Sequence, residues 1–117
     1  MAKSLALVIG IVFLLVGAAG LFPNTIVGEN AMFVTDFTHN LIHLVVGLIF
    51  VLVAEKATAK SSATLKTLGI VVIIVAALGF FYGTSIFGFI STNAASNWFH
   101  LVIGLISLIA GFSAKKA

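Results

Sequence analysis

Asn40-Leu-Ile-His43-Leu-Val-Val-Gly47-Leu-Ile49 returns fifty-seven residues later as Asn97-Trp-Phe-His100-Leu-Val-Ile-Gly104-Leu-Ile106, with seven of ten positions identical. Asn, His and Gly at i, i+3 and i+7 share one helix face. Each copy is therefore an aliphatic helix carrying one polar stripe, Asn40, His43 and Gly47 in the first and Asn97, His100 and Gly104 in the second.

The chain around these stretches is mostly hydrocarbon. Of its 117 residues 62% are hydrophobic and 8% are charged, far from the composition of a soluble domain. No formal charge falls within 4–28, 37–54 or 67–114. A bilayer core of about 30 Å takes about 20 helical residues, so the last run holds two crossings and a turn. We expect spans near 5–22, 37–54, 67–82 and 98–113. The two-residue polar alternation of a membrane β-barrel is missing. The expected fold is all-α: an integral membrane four-helix bundle, one transmembrane domain over 1–117.

The repeat extends beyond the stripe. Residues 10–22 align with 69–81 at an offset of 59, with identity at Gly10/Gly69, Ile11/Ile70, Val12/Val71, Val16/Val75, Ala18/Ala77, Gly20/Gly79 and Phe22/Phe81. The chain thus divides into two tandem helical hairpins, 5–54 and 65–113. Two spans per repeat leave both copies in one orientation, with a pseudo-two-fold axis along the membrane normal. The first span has the look of a signal peptide, but a segment repeated as a span is expected to be kept. Spans two and four become equivalent and are expected to pack together near the axis. Residues 55–66, rich in Ala, Ser, Thr and Lys, are expected to form a solvated connector. The two other connections, about fifteen residues each, are apolar and are expected to fold back over the mouth of the bundle.

Lysine sets the orientation. Lys3, Lys56, Lys60, Lys66, Lys115 and Lys116 all fall on one side, and the opposite connections carry only Glu29 and Asp36. The positive-inside rule makes both termini and the central connector cytoplasmic, with Trp98 and Tyr82 as an aromatic belt at the far ends of their spans. Six scattered lysines do not make a phosphate-tracking groove, so nucleic acid is not an expected partner. Cysteine is absent, which removes thiol ligands and disulfides.

Three readings of the buried polar groups compete. The least demanding is hydrogen-bonding glue, His43 to Asn97 or a carbonyl and His100 to Asn40, at roughly 0.6–2 kcal/mol per bond. The second makes His43 and His100 axial ligands of a haem or chlorin, with the glycines giving room. The third is a metal site: Asp36, His39 and His43 form D-x-x-H-x-x-x-H on one helix face, and His100 could complete a tetrahedral Zn²⁺. Asp36 and His39 are not repeated, their counterparts being Asn93 and Ser96, and His39 is expected to be interfacial.

No carboxylate lies inside a span and no base is spaced to activate a serine, so no enzyme activity is expected. Twin Asn-x-x-His-x-x-x-Gly segments in a short, Lys-flanked four-span chain resemble the domain of unknown function 4383 family of small bacterial membrane proteins. That resemblance covers nearly the whole chain and implies four spans in a bacterial inner membrane. The expected role is structural or accessory, in assembling a larger membrane complex or a homo-oligomer in the lipid bilayer. The alternative is haem, chlorin or metal binding between His43 and His100.

Overall fold

The computed structural model describes residues 1–113. Four helices make up most of it: α1 (Ala2–Gly20), α2 (Phe37–Lys56), α3 (Ser61–Tyr82) and α4 (Ala94–Ser113). Each is long and apolar enough to cross a membrane. Short strand pairs sit in the two connections at the lysine-free end: β1 (Val27–Gly28) beside β2 (Phe33–Val34), and β3 (Ser85–Ile86) beside β4 (Ile90–Ser91).

The helix ends follow from local chemistry. Asp36 caps α2 by accepting from the His39 amide at 2.8 Å, and Asn93 does the same for Ser96 in α4 at 3.0 Å, the usual use of Asp and Asn at a helix start. Beyond the end of α1, the Asn24 side-chain amide donates to the carbonyls of Ala19 and Phe22, both at 2.7 Å. α3 has no such wrap. It runs on past Gly79 to Tyr82 and stops where Gly83 takes φ 90°. The second connection, 83–93, is therefore shorter than the first, 21–36, and the two are not the equal loops expected.

The connector at the lysine end is also shorter than expected. Only Ala57 and a 3-10 turn at Thr58–Lys60 separate α2 from α3, and Ser61 already begins the helix. Lys, Ala, Ser and Thr are tolerated in helices, so the charges at 55–66 mark where the apolar run stops and do not end the helix.

Large aliphatic side chains face outward, among them Leu15, Leu41, Val45, Ile74, Val102 and Ile109. The inward faces carry many small residues, Ala6, Gly10 and Gly17 in α1 and Gly69, Ala76 and Gly79 in α3, beside a few large ones such as Phe13, Leu65 and Val72. Association in lipid depends on close packing of small residues, because hydrocarbon outside is as apolar as hydrocarbon inside. Most helix contact lies within the hairpins, α1 on α2 and α3 on α4, and the contacts between hairpins are sparser. Gly10 lies against Phe50 and the Gly47 carbonyl, and Gly69 in the same way against Leu108 and the Gly104 carbonyl. Gly20 sits under the side chain of Asn40, and Gly79 under that of Asn97.

These contacts correct one expectation. The Asn and Gly members of each stripe face the first helix of their own hairpin, and the backbones of α2 and α4 do not pack on each other. Only the histidines of the two stripes cross between the hairpins.

Candidate metal centre

Asn40, His43 and Gly47 are buried, as are Asn97, His100 and Gly104. His43 and His100 meet, their Nε2 atoms 3.2 Å apart. A third ring joins them. His39, expected at an interface, is 2% exposed, and its Nε2 lies 3.1 Å from Nε2 of His100. One ring nitrogen from each of the three lies within 4.8 Å of the others, the only such cluster of possible metal ligands among the described residues.

His39 is brought inward by a latch between the two connections. Its Nδ1 lies 2.7 Å from the Ser91 carbonyl oxygen, and the second carboxylate oxygen of Asp36 accepts from the Ser91 amide at 3.0 Å. Fifty-seven residues away the contact repeats in reverse: Ser96 Oγ donates to the Val34 carbonyl at 3.0 Å, and Asn93 Oδ1 accepts from the Val34 amide at 3.2 Å. Each connection is thus gripped at one residue, amide and carbonyl together, by the start of the other hairpin's second helix. Asp36 works as cap and latch, not as a ligand. Burial by itself would raise its pKa, but the hydrogen bonds from His39 and Ser91 and the nearby His39 ring outweigh that and hold it below the ordinary carboxylate value.

The hydrogen bonds of the cluster do not close. A carbonyl can only accept, so His39 Nδ1 holds the proton and its Nε2 presents a lone pair. If His100 carries its proton on Nε2, that proton is shared between His39 and His43. The His43 proton must then sit on Nδ1, buried without an acceptor, or on Nε2, facing the His100 proton. Moving the His100 proton to Nδ1 strands it there and sets two lone pairs 3.1 Å apart. Consistent with this, His43 Nδ1 and His100 Nδ1 are buried and have no partner. No set of neutral tautomers satisfies the three rings from within the protein. A cation between them would be met by three Nε2 lone pairs and would relieve the conflict among those nitrogens, with the His43 and His100 protons on Nδ1.

Two of the three spacings, those that His100 makes to His39 and to His43, suit such an ion. With Zn–N bonds of about 2.0–2.1 Å, two ligands of a tetrahedral site lie about 3.3 Å apart, close to the 3.1 and 3.2 Å observed. Metal-bound histidines usually donate their other nitrogen to an orienting acceptor, which for His39 is the Ser91 carbonyl. The rings of His43 and His100 are held by aromatic neighbours instead, Phe13 at 5.6 Å from His43 and Phe99 at 5.8 Å from His100.

Two sequence expectations do not survive this geometry. Asn40 and Asn97 do not pair with the histidines: Asn97 accepts from Thr92 Oγ1 at 2.9 Å, and Asn40 Oδ1 has no partner. Nor does a macrocycle fit between His43 and His100. Axial ligands across a haem or chlorin are separated by about 4 Å, twice the metal–nitrogen distance, whereas these nitrogens are 3.2 Å apart with a third imidazole against them. The D-x-x-H-x-x-x-H spacing did hold the signal for His39. Its lack of a histidine counterpart at Ser96 obscured that signal.

Fold and site together define a helical protein with four membrane-length spans and a buried three-histidine cluster joining its two hairpins. The chain belongs to the family described as domain of unknown function (DUF4383), which matches residues 3–113. No curated protein and no solved structure matches it.

Proposed function

We propose that this chain is a multi-pass protein of a bacterial inner membrane that holds one first-row transition-metal ion, with Zn²⁺ the best fit, between its two hairpins. His39, His43 and His100 are its ligands, and the lysine-free end carrying them faces away from the cytoplasm. The observation that carries the reading is the convergence of three buried Nε2 atoms whose protons cannot be arranged without conflict. Imidazole suits Zn, Cu, Fe and Ni alike, and the 3.1 and 3.2 Å spacings around His100 favour Zn²⁺. Full-length protein extracted from its own host's membrane should carry close to one metal per chain by elemental analysis. His43→Ala and His100→Ala should each empty the site; full metal content in both variants would end the reading.

A second role is compatible with the same ion. The hairpins touch each other sparsely, so an ion bound by α2 and α4 would pin them together, as suits an accessory protein in a larger membrane complex or a homo-oligomer. On this account chelation lowers the melting temperature. Reporter fusions at Ala117 and in the 55–66 connector test the orientation, and both should score cytoplasmic.

A further inference from the structure

The two connections at the lysine-free end present different surfaces. The first, 21–36, mixes exposed Ile26 and Met32 with exposed Asn24, Glu29 and Asn30. These three polar residues and Asp36 help to line an open pocket of about 510 Å³. The second, 83–93, carries no charge, and what it shows to the outside is aromatic. Phe87 is 58% exposed and Phe89 62%, while Phe81, near the end of α3, is 81% exposed. The rings form one patch: Tyr82 stands 5.1 Å from Phe81 and 5.3 Å from Phe87, and Phe87 stands 6.5 Å from Phe89. Phe81 lies two turns along the same face of α3 as the exposed Ile74, so the patch continues the aliphatic face that this helix turns outward.

The turn at its tip is strained. The Phe89 amide donates to the Ile86 carbonyl at 3.2 Å, and the two residues between them, Phe87 and Gly88, take φ 54° and 83°. A tight hairpin turn with both central residues at positive φ ordinarily uses Asn-Gly or Gly-Gly. Phe87 is the only non-glycine residue at positive φ among the described residues, and a bulky side chain opposes that conformation. The base of the turn is nevertheless fixed. Ser85 pairs with Ser91, whose amide and carbonyl are held by Asp36 and His39. The phenyl rings are thus displayed from a braced hairpin, at a position where the backbone alone would select a small or polar residue.

We propose that the Phe87-Gly88-Phe89 turn is a membrane anchor: its two phenyl rings, with Phe81, insert into the lipid leaflet at the lysine-free end, while the polar part of the first connection stays in water. This rests on the membrane reading of the four helices and not on the metal. An exposed apolar patch of this kind marks a contact with lipid or with a partner. Lipid is the occupant here because the patch is uncharged and continues the outward face of a helix of membrane-spanning length. Aromatic side chains settle at the boundary between headgroups and acyl chains, and Trp98, packed on Phe80 at 5.2 Å, stands at the same end of the spans. The two hairpins then meet the bilayer surface differently, one end sunk into it and the other open to water.

Trp98 is the chain's single tryptophan, which gives the test its reference. Full-length protein is placed in phosphatidylcholine vesicles whose acyl chains do or do not carry bromine, with iodide on both sides of the membrane as the aqueous quencher. Bromine should quench Trp98 in the wild type. In a Trp98→Phe background, Phe87→Trp and Phe89→Trp should each lose at least as large a share of their fluorescence to bromine as Trp98 does, and little to iodide. Phe89 is not at positive φ, so its variant reads the same surface without touching the strained residue. Asn30→Trp in that background should show the reverse, quenched by iodide and spared by bromine. Wild-type Trp98 untouched by bromine would remove the membrane reading and this inference with it. Trp98 quenched by bromine, with positions 87 and 89 quenched by iodide alone, would place the turn in water and overturn the anchor while leaving the spans intact. Positions 87 and 89 spared by both quenchers would place the turn against protein and overturn it as well. Bromine quenching of Asn30→Trp equal to that of Phe87→Trp would overturn the division between the two connections.

Discussion

The starts of α2 and α4 do the same backbone work with different side chains. Asp36 and Asn93 each cap a helix and grip the opposite connection. His39 and Ser96, three residues on, each engage the carbonyl of the residue so gripped. A hydroxyl and an imidazole fill the second role equally well, but only the imidazole has a further nitrogen to send inward. The latch is therefore nearly symmetric, and the site it supports is not. The same division recurs at Thr35 and Thr92, where one hydroxyl is free and the other is bonded. One hairpin end pairs its buried polar atoms, Thr92 with Asn97, and the other leaves the Thr35 and Asn40 oxygens buried and unpaired.

The largest expected effect comes from erasing that difference. His39→Ser gives the first hairpin the residue of the second, so the latch should hold and the fold should persist. Zn²⁺ affinity, measured by competition with a chelator, should fall on the order of 100-fold or more with one of three ligands gone. Unchanged affinity would show that His39 only shapes the latch.

The glycines under the histidines should show a smaller contrast. A Cβ on Gly47 would meet backbone, the Gly10 carbonyl at 2.7 Å and the Leu14 amide at 2.8 Å. On Gly104 its nearest neighbour is a side-chain atom of Ile73 at 2.8 Å, with backbone at 3.1 Å. Side chains yield more easily than helices, so Gly47→Ala should cost about 1–3 kcal/mol and Gly104→Ala less, as read by thermal unfolding in detergent. Equal losses would mean that the two hairpins are packed alike despite these distances.

The threonines should differ by less again. Thr92→Val strips Asn97 Oδ1 of its donor and should cost about 1 kcal/mol. In metal-free protein Thr35→Val removes a hydroxyl that bonds to nothing and should be neutral or slightly stabilising. A cost at Thr35 matching that at Thr92 would reveal a partner within the protein for this hydroxyl.

The smallest effect at neutral pH belongs to Asp36→Asn, which copies Asn93. Because folding lowers the Asp36 pKa, its charge stabilises the fold above the ordinary carboxylate value of about 4 and ceases to as pH falls through the lower folded value. Near pH 7 the wild type should melt slightly above the variant. Below about pH 4 the wild type alone should lose this contribution, narrowing or reversing any gap between them. A difference that stays constant from pH 7 to pH 3 would mean that the charge of Asp36 contributes nothing.

Much of the fold was legible because its causes are local. Charge-free runs of spanning length give the helix count, and the identity of Asn40, His43 and Gly47 with Asn97, His100 and Gly104 marks the buried face. The helix limits at 55–66 were misjudged because charge reports the edge of an apolar medium, while a helix continues wherever its backbone is unobstructed. His39 was underrated for a related reason. Repetition finds what both hairpins share, whereas a site built from their difference leaves no repeated mark.

The sequence alone thus determined the apolar medium, the four helices and the six residues of the paired polar stripe, since hydropathy and periodicity accumulate along one chain. Tertiary structure decided that Asn and Gly close each hairpin internally, that only histidines cross between hairpins, and that His39 is the third member. Those outcomes depend on which small residues let two backbones approach most closely, and on a latch joining residues fifty-two to sixty-two positions apart. Neither can be read from any one helix by itself.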